Sequence, residues 1–276
     1  MTGATSGIGR AAATALAARG AEVLLLARNR AKGERAREEI ARATGNRRLD
    51  LVLADLSSLD QVRRAAEAVL ASGRPLHVLL NNAGVITLRR ETTVDGYERI
   101  FAVNHLAHFL LTNLLLARLR ESAPARVVTV ASAAHGFSGG GLDWDDLQSE
   151  RGRFRPMRVY GRSKLANILF TRELARRLEG TGVVCHCFHP GFVGSSFGAN
   201  NGWLAGWLMA LARPFARSPE RGADTAVFLC SSPEAAIGTG RYWIDRRERE
   251  PKAVARDEAA ARRLWEVSER LVGLGG

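Results

Sequence analysis

The sequence predicts an α/β fold, a doubly wound parallel sheet in one domain spanning residues 1–276, and three observations carry that prediction. Continuously apolar runs bounded by turn residues alternate with Ala- and Arg-rich segments of helical period. The apolar runs do not alternate polar with apolar, as expected of strands covered by helices on both faces. The chain has 276 residues, 46% of them apolar and 25% charged, which suits one large domain able to bury a core and excludes disorder, collagen and a disulfide scaffold.

In chain order, a helical pattern at Gly7 to Arg19 precedes the apolar run Ala21 to Ala27, and an Arg/Glu-interleaved helix at Arg30 to Ala43 precedes Leu49 to Ala54. A helix at Leu59 to Ala71 leads to a strand at Leu76 to Asn81. A long helix at Val94 to Arg120 leads to Arg126 to Ala131, and another at Met157 to Leu178 leads to Val183 to His189. Helix Pro219 to Cys230, the short strand Arg241 to Ile244 and helix Ala253 to Leu271 complete the series. Two irregular stretches, His135 to Arg155 and Gly194 to Pro214, interrupt the rhythm. Loops over the carboxyl ends of parallel strands shape ligand sites in such sheets. The second stretch carries Trp203, Leu204, Trp207, Leu208, Met209 and Leu211, and the reading makes residues 194–217 an apolar lid.

The series breaks a rule at its start. A glycine-rich loop normally follows a strand, yet Thr2 and Gly3 come directly after Met1, so the first strand reads as truncated. The expectation is a working protein with about 5 to 30 more residues upstream, strand length plus a short lead-in.

The formal charge of +12 comes from 40 basic and 28 acidic residues, and only Lys32, Lys164 and Lys252 are lysines. The arginines interleave with Asp and Glu at helical spacing, so the charge reads as solvated helix surface rather than a nucleic-acid site. Cys185, Cys187 and Cys230 are too few for a disulfide framework, and no second Cys/His cluster completes a metal site, so no metal is expected. With no secretory signal pattern, the reading is cytoplasmic. The apolar stretch Leu106 to Leu119 is broken by His108, Thr112 and Asn113, too short and too polar to span a bilayer.

Thr2-Gly3-Ala4-Thr5-Ser6-Gly7-Ile8-Gly9, opening a helix, has the form of a phosphate-cradling loop, in which glycines allow close backbone approach and the helix start presents N–H groups to a pyrophosphate. The glycine spacing differs from the commoner G-x-G-x-x-G, and a glycine-rich turn alone does not require a nucleotide. About 20 residues on, where an acidic residue would bind the ribose of NAD, the sequence reads Ala27-Arg28-Asn29-Arg30. A guanidinium there, with no carboxylate, favours the extra phosphate of NADP(H) over NAD(H). Asp55-Leu56 and Asn81-Asn82-Ala83-Gly84 end the next two strands, where an Asp can accept from an adenine amino group and small residues admit a cofactor. Ser132 ends a later strand, and Tyr160 and Lys164 stand one helical turn apart with Asn104 on the preceding long helix. A phenol titrates near pKa 10, and a neighbouring ammonium favours its ionised form.

This ordered set, TGxxxGIG, DL, NNAG, a helical Asn, Ser and YxxxK, resembles the short-chain dehydrogenase/reductase family along essentially the whole chain. The runs Asn104 to Thr112 and Ser163 to Asn167, His189-Pro190-Gly191, and the segment from Ala255 to Ser268 resemble its retinol dehydrogenase and WW-domain oxidoreductase branch. The resemblance implies a Rossmann-type sheet and four catalytic residues. Tyr160 is general acid/base, Lys164 lowers its pKa and holds the nicotinamide ribose, Ser132 steadies the substrate oxygen, and Asn104 anchors a water toward Lys164. It further implies that Gly3, Thr5, Ser6, Gly7, Ile8, Gly9, Arg28, Asp55, Leu56, Asn82, Ala83 and Gly84 bind the cofactor with Tyr160 and Lys164, and that Pro190, Gly191, Val193 and Ser195 meet its nicotinamide end. Ser195 departs from the usual Thr, and Ala131 replaces the first Ser of a common pair.

The expected activity is NADP(H)-dependent transfer of hydride between nicotinamide and a carbonyl or alcohol of an apolar small molecule. The rival expectation is a non-catalytic NADP(H)-sensing interaction protein on the same fold. No nucleic-acid partner is expected; membrane-surface contact through the lid is the competing reading of that segment, and a homo-oligomer is possible. With Tyr160 supplying proton transfer, His105, His108 and His135 read as packing or hydrogen-bonding residues.

Overall fold

The computed structural model describes residues 1–193 and 217–275. Its strands are β1 (Val23–Ala27), β2 (Leu49–Leu53), β3 (Val78–Asn81), β4 (Ala125–Val130), β5 (Val183–His189), β6 (Arg241–Ile244) and β7 (Arg247–Glu248). Among the described residues, the sheet is parallel from β1 to β2 and from β3 through β6, and β7 is antiparallel to β6. One segment runs in the order β1-β2 and the other β3-β4-β5-β6-β7. Met1 and Thr2 lie between them. The Leu26 N–H donates to Met1 O (2.9 Å) and the Thr2 N–H to Leu80 O (3.0 Å), so these two residues bond to β1 on one side and β3 on the other.

The helices fall on both faces, as continuously apolar strands require. Helices α1 (Gly7–Ala18) and α2 (Arg30–Thr44) pack on Val23, Leu25 and Leu49. The helix Pro219–Ser231, together with Ala12 of α1, covers Leu80, Val128, Val130, Phe188 and Trp243. The opposite face carries α3 (Leu59–Ala71), the helix Ala107–Leu114, the long helix Pro156–Arg177 and the last helix Glu258–Leu271. There Phe109 lies between Phe170 and Trp265, with ring centroids 5.6 and 4.9 Å away. Phe109 is fully buried, so Phe109→Ala is expected to cost about 3–5 kcal/mol, transfer plus cavity, read as a lowered denaturant midpoint with unchanged slope.

The expected helix Val94 to Arg120 forms later and in pieces. Val94 is exposed, Gly96 turns with φ +84°, and buried Glu98 caps the helix by accepting from the Ile100 and Phe101 N–H groups. Helix Arg99–Phe101 then widens into a π turn, Ala102–Leu106, before Ala107–Leu114 and Leu116–Glu121. The last helix likewise starts at Glu258 rather than Ala253, because Asp257 accepts from the Ala260 N–H as its cap. Among the described residues no helix is long and apolar enough to cross a membrane. The three cysteines are free and buried, and burial pushes the Cys187 and Cys230 thiols up to about 12.

Candidate active site

The glycine-rich loop is built by close approach. Gly3 and Gly7 take positive φ (65° and 51°), which costs a glycine little. A Cβ on Gly9 would lie 2.1 Å from Gly3 O and 2.5 Å from the Asn82 amide nitrogen, so that position admits no side chain without backbone movement. Thr2 sews this loop to the next: its Oγ1 accepts from the Asn82 and Ala83 N–H groups (2.9 and 3.0 Å), while Asn82 Nδ2 donates to Thr2 O and Gly3 O (2.9 and 3.2 Å). Helix α1 starts at Gly7 with no side-chain cap bond from Ser6 and no acidic residue in its first turn. That leaves its positive end compatible with a pyrophosphate. The loop Thr2 to Gly9, with Asn82 to Gly84 beside it, therefore fits a dinucleotide.

Arg28 and Asp55 end neighbouring strands, with Arg28 Nη1 3.7 Å from Asp55 Oδ2. Asp55 Oδ1 also accepts from the Ser57 N–H and hydroxyl, and Leu56 beside it is buried. The Arg28 side chain remains about half exposed.

Beyond the carboxyl end of β5 lie Pro190 and Gly191. Gly191 has φ +83°, and a Cβ there would strike Arg217, which reaches Asp245. A Cβ on Gly222 would meet Val193 at 2.5 Å and Ile8 at 3.2 Å, so the glycine-rich loop and the Pro190-to-Val193 turn share one close contact. Ser195 and the lid of residues 194–217 fall outside the described residues, except for Arg217.

Ser132 follows β4 by two residues and accepts from the Ala134 N–H (3.1 Å), capping the short helical turn after it. Its carbonyl accepts from His135 Nδ1 (2.7 Å), and His135 Nε2 accepts from the Lys252 N–H (3.2 Å), so His135 holds the serine's backbone rather than facing a reacting group. Tyr160 lies one turn into the helix Pro156–Arg177. Burial pushes its phenol well above the usual tyrosine range, opposed by a hydrogen bond with Ser132. Lys164, 2% exposed, donates from Nζ to Val130 O (3.1 Å) and lies 5.6 Å from the Tyr160 ring centroid. Burial pulls the lysine down to about 7.

Desolvation acts on both groups in the direction of neutrality, and the ammonium donates to the Val130 carbonyl.

Asn104 sits in the π turn. Its Nδ2 donates to Val85 O and to Ser163 Oγ (both 3.0 Å), and its Oδ1 accepts from the Val85 N–H (2.7 Å). Its amide ties the NNAG strand end to the turn holding Tyr160, since Ser163 Oγ donates to Tyr160 O (2.8 Å).

The structure thus brings Ser132, Tyr160 and Lys164 into one cluster, joined to Asn104 through Ser163, and pairs Arg28 with Asp55 separately. The sequence reading missed Gly161 and Val130. A Cβ on Gly161 would sit 2.5 Å from Ala134 O, so a glycine beside Tyr160 is the signal that its helix touches the Ser132 loop backbone. Val130 acts through its carbonyl, which carries no residue signature. Exposed Leu88, Phe137, Met157 and Phe192 follow or precede the site motifs by a few residues.

Residues 1–142 match the short chain dehydrogenase family. Retinol dehydrogenase 12 of Mus musculus is 44% identical over 99% of this chain and 85% of its own length. Among solved structures, an uncharacterized protein from Mycobacterium paratuberculosis superposes with TM-score 0.79 at 34% identity, covering 99% of this chain and 91% of that one. The NADP complex of Pseudomonas aeruginosa RhlG gives TM-score 0.67 at 28% identity, over 87% of this chain and 91% of its own.

Proposed function

Because the chain belongs to the short-chain dehydrogenase family of NAD(P)-dependent oxidoreductases, we propose that it reduces a carbonyl group of an apolar small molecule with NADPH, through Tyr160. The observation that carries this reading is the Ser132–Tyr160 hydrogen bond with Lys164 buried beside it. When bound, the nicotinamide supplies hydride at its C4.

The chain's own residues do the rest. Tyr160, kept neutral by burial, is in the form that gives a proton to the substrate oxygen during reduction. Ser132 Oγ, bonded to the Tyr160 phenol, can turn its hydrogen to the substrate oxygen once that oxygen lies between them and stabilise the negative charge that develops there. Lys164, with a single described hydrogen bond in a buried site, is suited to hold ribose hydroxyls and to gain charge when they replace lost solvation. Asn104 fixes the turn from which Tyr160 projects. Gly3 to Gly9 and Asn82 to Gly84 would hold the pyrophosphate and the adjoining ribose, and Pro190, Gly191 and Val193 the nicotinamide end. The apolar substrate class rests on the Trp-, Leu- and Met-rich sequence of residues 194–217.

The preference for NADP(H) over NAD(H) rests on Arg28. Its guanidinium is weakly engaged at 3.7 Å and half exposed, so a phosphate oxygen can displace Asp55 as its partner. Arg28→Ala should raise KM for NADPH by about thirtyfold, the loss of about 2 kcal/mol of charge-assisted bonding, and leave KM for NADH within about twofold. Equal effects on both cofactors would remove Arg28 from phosphate recognition.

A further inference from the structure

His108 stands on the helix Ala107–Leu114, fully buried, and both of its ring nitrogens are engaged. Nε2 lies 3.1 Å from Thr2 Oγ1, and Nδ1 lies 3.1 Å from the carbonyl oxygen of Asn104. The proton positions follow from the partners. Thr2 Oγ1 already accepts two N–H groups, from Asn82 and Ala83, so its single hydrogen points at Nε2. A carbonyl only accepts, so Nδ1 carries the ring proton. A second proton on Nε2 would face a hydroxyl with no lone pair left. Burial and the nearby Lys164 charge act in the same sense, holding the imidazole down to about 4.

The bonds around this ring form an unbroken line. Thr2 opens the glycine-rich loop and His108 joins it to the Asn104 carbonyl. The Asn104 side chain reaches Ser163 Oγ, and Ser163 reaches the Tyr160 carbonyl. The line therefore runs from the loop that cradles the dinucleotide to the turn that carries the acid. Its middle crosses the π turn Ala102–Leu106, where the irregular winding brings the Asn104 carbonyl within reach of a side chain one turn on.

We propose that His108 is a positioning residue that sets the register between the cofactor loop and the Tyr160 turn, acting as a fixed neutral link through the hydroxyl of Thr2 and the carbonyl of Asn104. This rests on the reductase reading given above. The imidazole touches no reacting atom. Its effect is on kcat through alignment, because a displacement of about 1 Å between hydride donor and acid can cost about a hundredfold.

The test pairs kinetics with a spectroscopic readout. His108→Phe keeps the ring volume and breaks both bonds, and should lower kcat at least about tenfold while NADPH affinity changes less than about threefold. His108→Asn places an amide N–H near the Nδ1 position and should recover part of that loss. Thr2→Val should lower kcat as well, and adding His108→Phe to it should cost less than about twofold more, since the same link is already cut. Losses that multiply independently would overturn the proposal, as would an unchanged kcat in His108→Phe. Nitrogen-15 resonances of the wild-type histidine should report the neutral Nδ1–H form throughout about pH 5 to 8, with the Nε2 signal moved by Thr2→Val. An Nε2–H form would overturn the link whatever the enzyme's activity. Intact signals in a wild-type protein that turns over no carbonyl would instead strike down the reductase reading, and the positioning role with it.

Discussion

Tyr160→Phe is expected to lower turnover about a thousandfold, about 4 kcal/mol of transition-state stabilisation, while NADPH binding stays within about threefold of wild type. The substitution removes one oxygen and preserves the ring, so packing in the helix Pro156–Arg177 is retained. What is lost is the phenolic proton, at the point where Ser132 also converges. The Ser132 bond alone contributes about 1 kcal/mol, too little to explain a loss of that size, so the magnitude separates an acid from an orienting hydroxyl. Turnover within about tenfold of wild type would place the proton donor elsewhere.

Gly9→Ala should have the next largest effect, on the cofactor. A methyl at that position would lie 2.1 Å from Gly3 O, inside any allowed contact, and 2.5 Å from Asn82 Nδ2. Both neighbours belong to the cradle. Gly3 O accepts from Asn82, and Asn82 is tied to Thr2, so relieving the clash means opening the loop itself. The cost of such overpacking is about 1–3 kcal/mol, and NADPH affinity should fall by about ten- to a hundredfold in titration by nucleotide fluorescence. Gly45→Ala, where nothing lies within 4 Å of the added carbon but φ is +71°, should lower stability by about 1 kcal/mol without touching affinity, which controls for strain alone.

Much of the fold was legible because its signals are local. The strand Val183–His189 and the helix Leu59–Ala71 form at their expected bounds, since an unbroken apolar run and a capped amphipathic repeat each specify themselves. Ser58 supplies that cap through its hydroxyl. Where the reading erred, a distant or main-chain partner decided the outcome. The helix expected from Val94 waits for Glu98, whose buried carboxylate outweighs helical periodicity in Thr93 to Tyr97. Strand β7 turns on Asp245 and Arg246 at φ 51° and 57°, without the glycine or asparagine that marks such hairpins.

The site divides the same way. Ser132, Tyr160 and Lys164 were readable from type and spacing, and the structure brings them together. Other supports were not readable: Val130 works through a carbonyl that every residue possesses, and Thr2 and His108 meet across 106 positions of sequence. The dryness of the site was also not legible. Helical spacing places Lys164 on the face of Tyr160 but says nothing of how dry that face is, and dryness sets both groups' protonation.

The central claim is that this site reduces a carbonyl with Tyr160 as its acid. Incubating wild-type protein with NADPH deuterated at C4 and a panel of apolar aldehydes and ketones tests it most directly. The expected result is deuterium on the carbinol carbon of a product alcohol, one label per NADPH consumed, with no label transferred by Tyr160→Phe. Tight NADPH binding with no deuterated alcohol from any member of the panel would contradict the account and leave a protein that senses the nucleotide without using it.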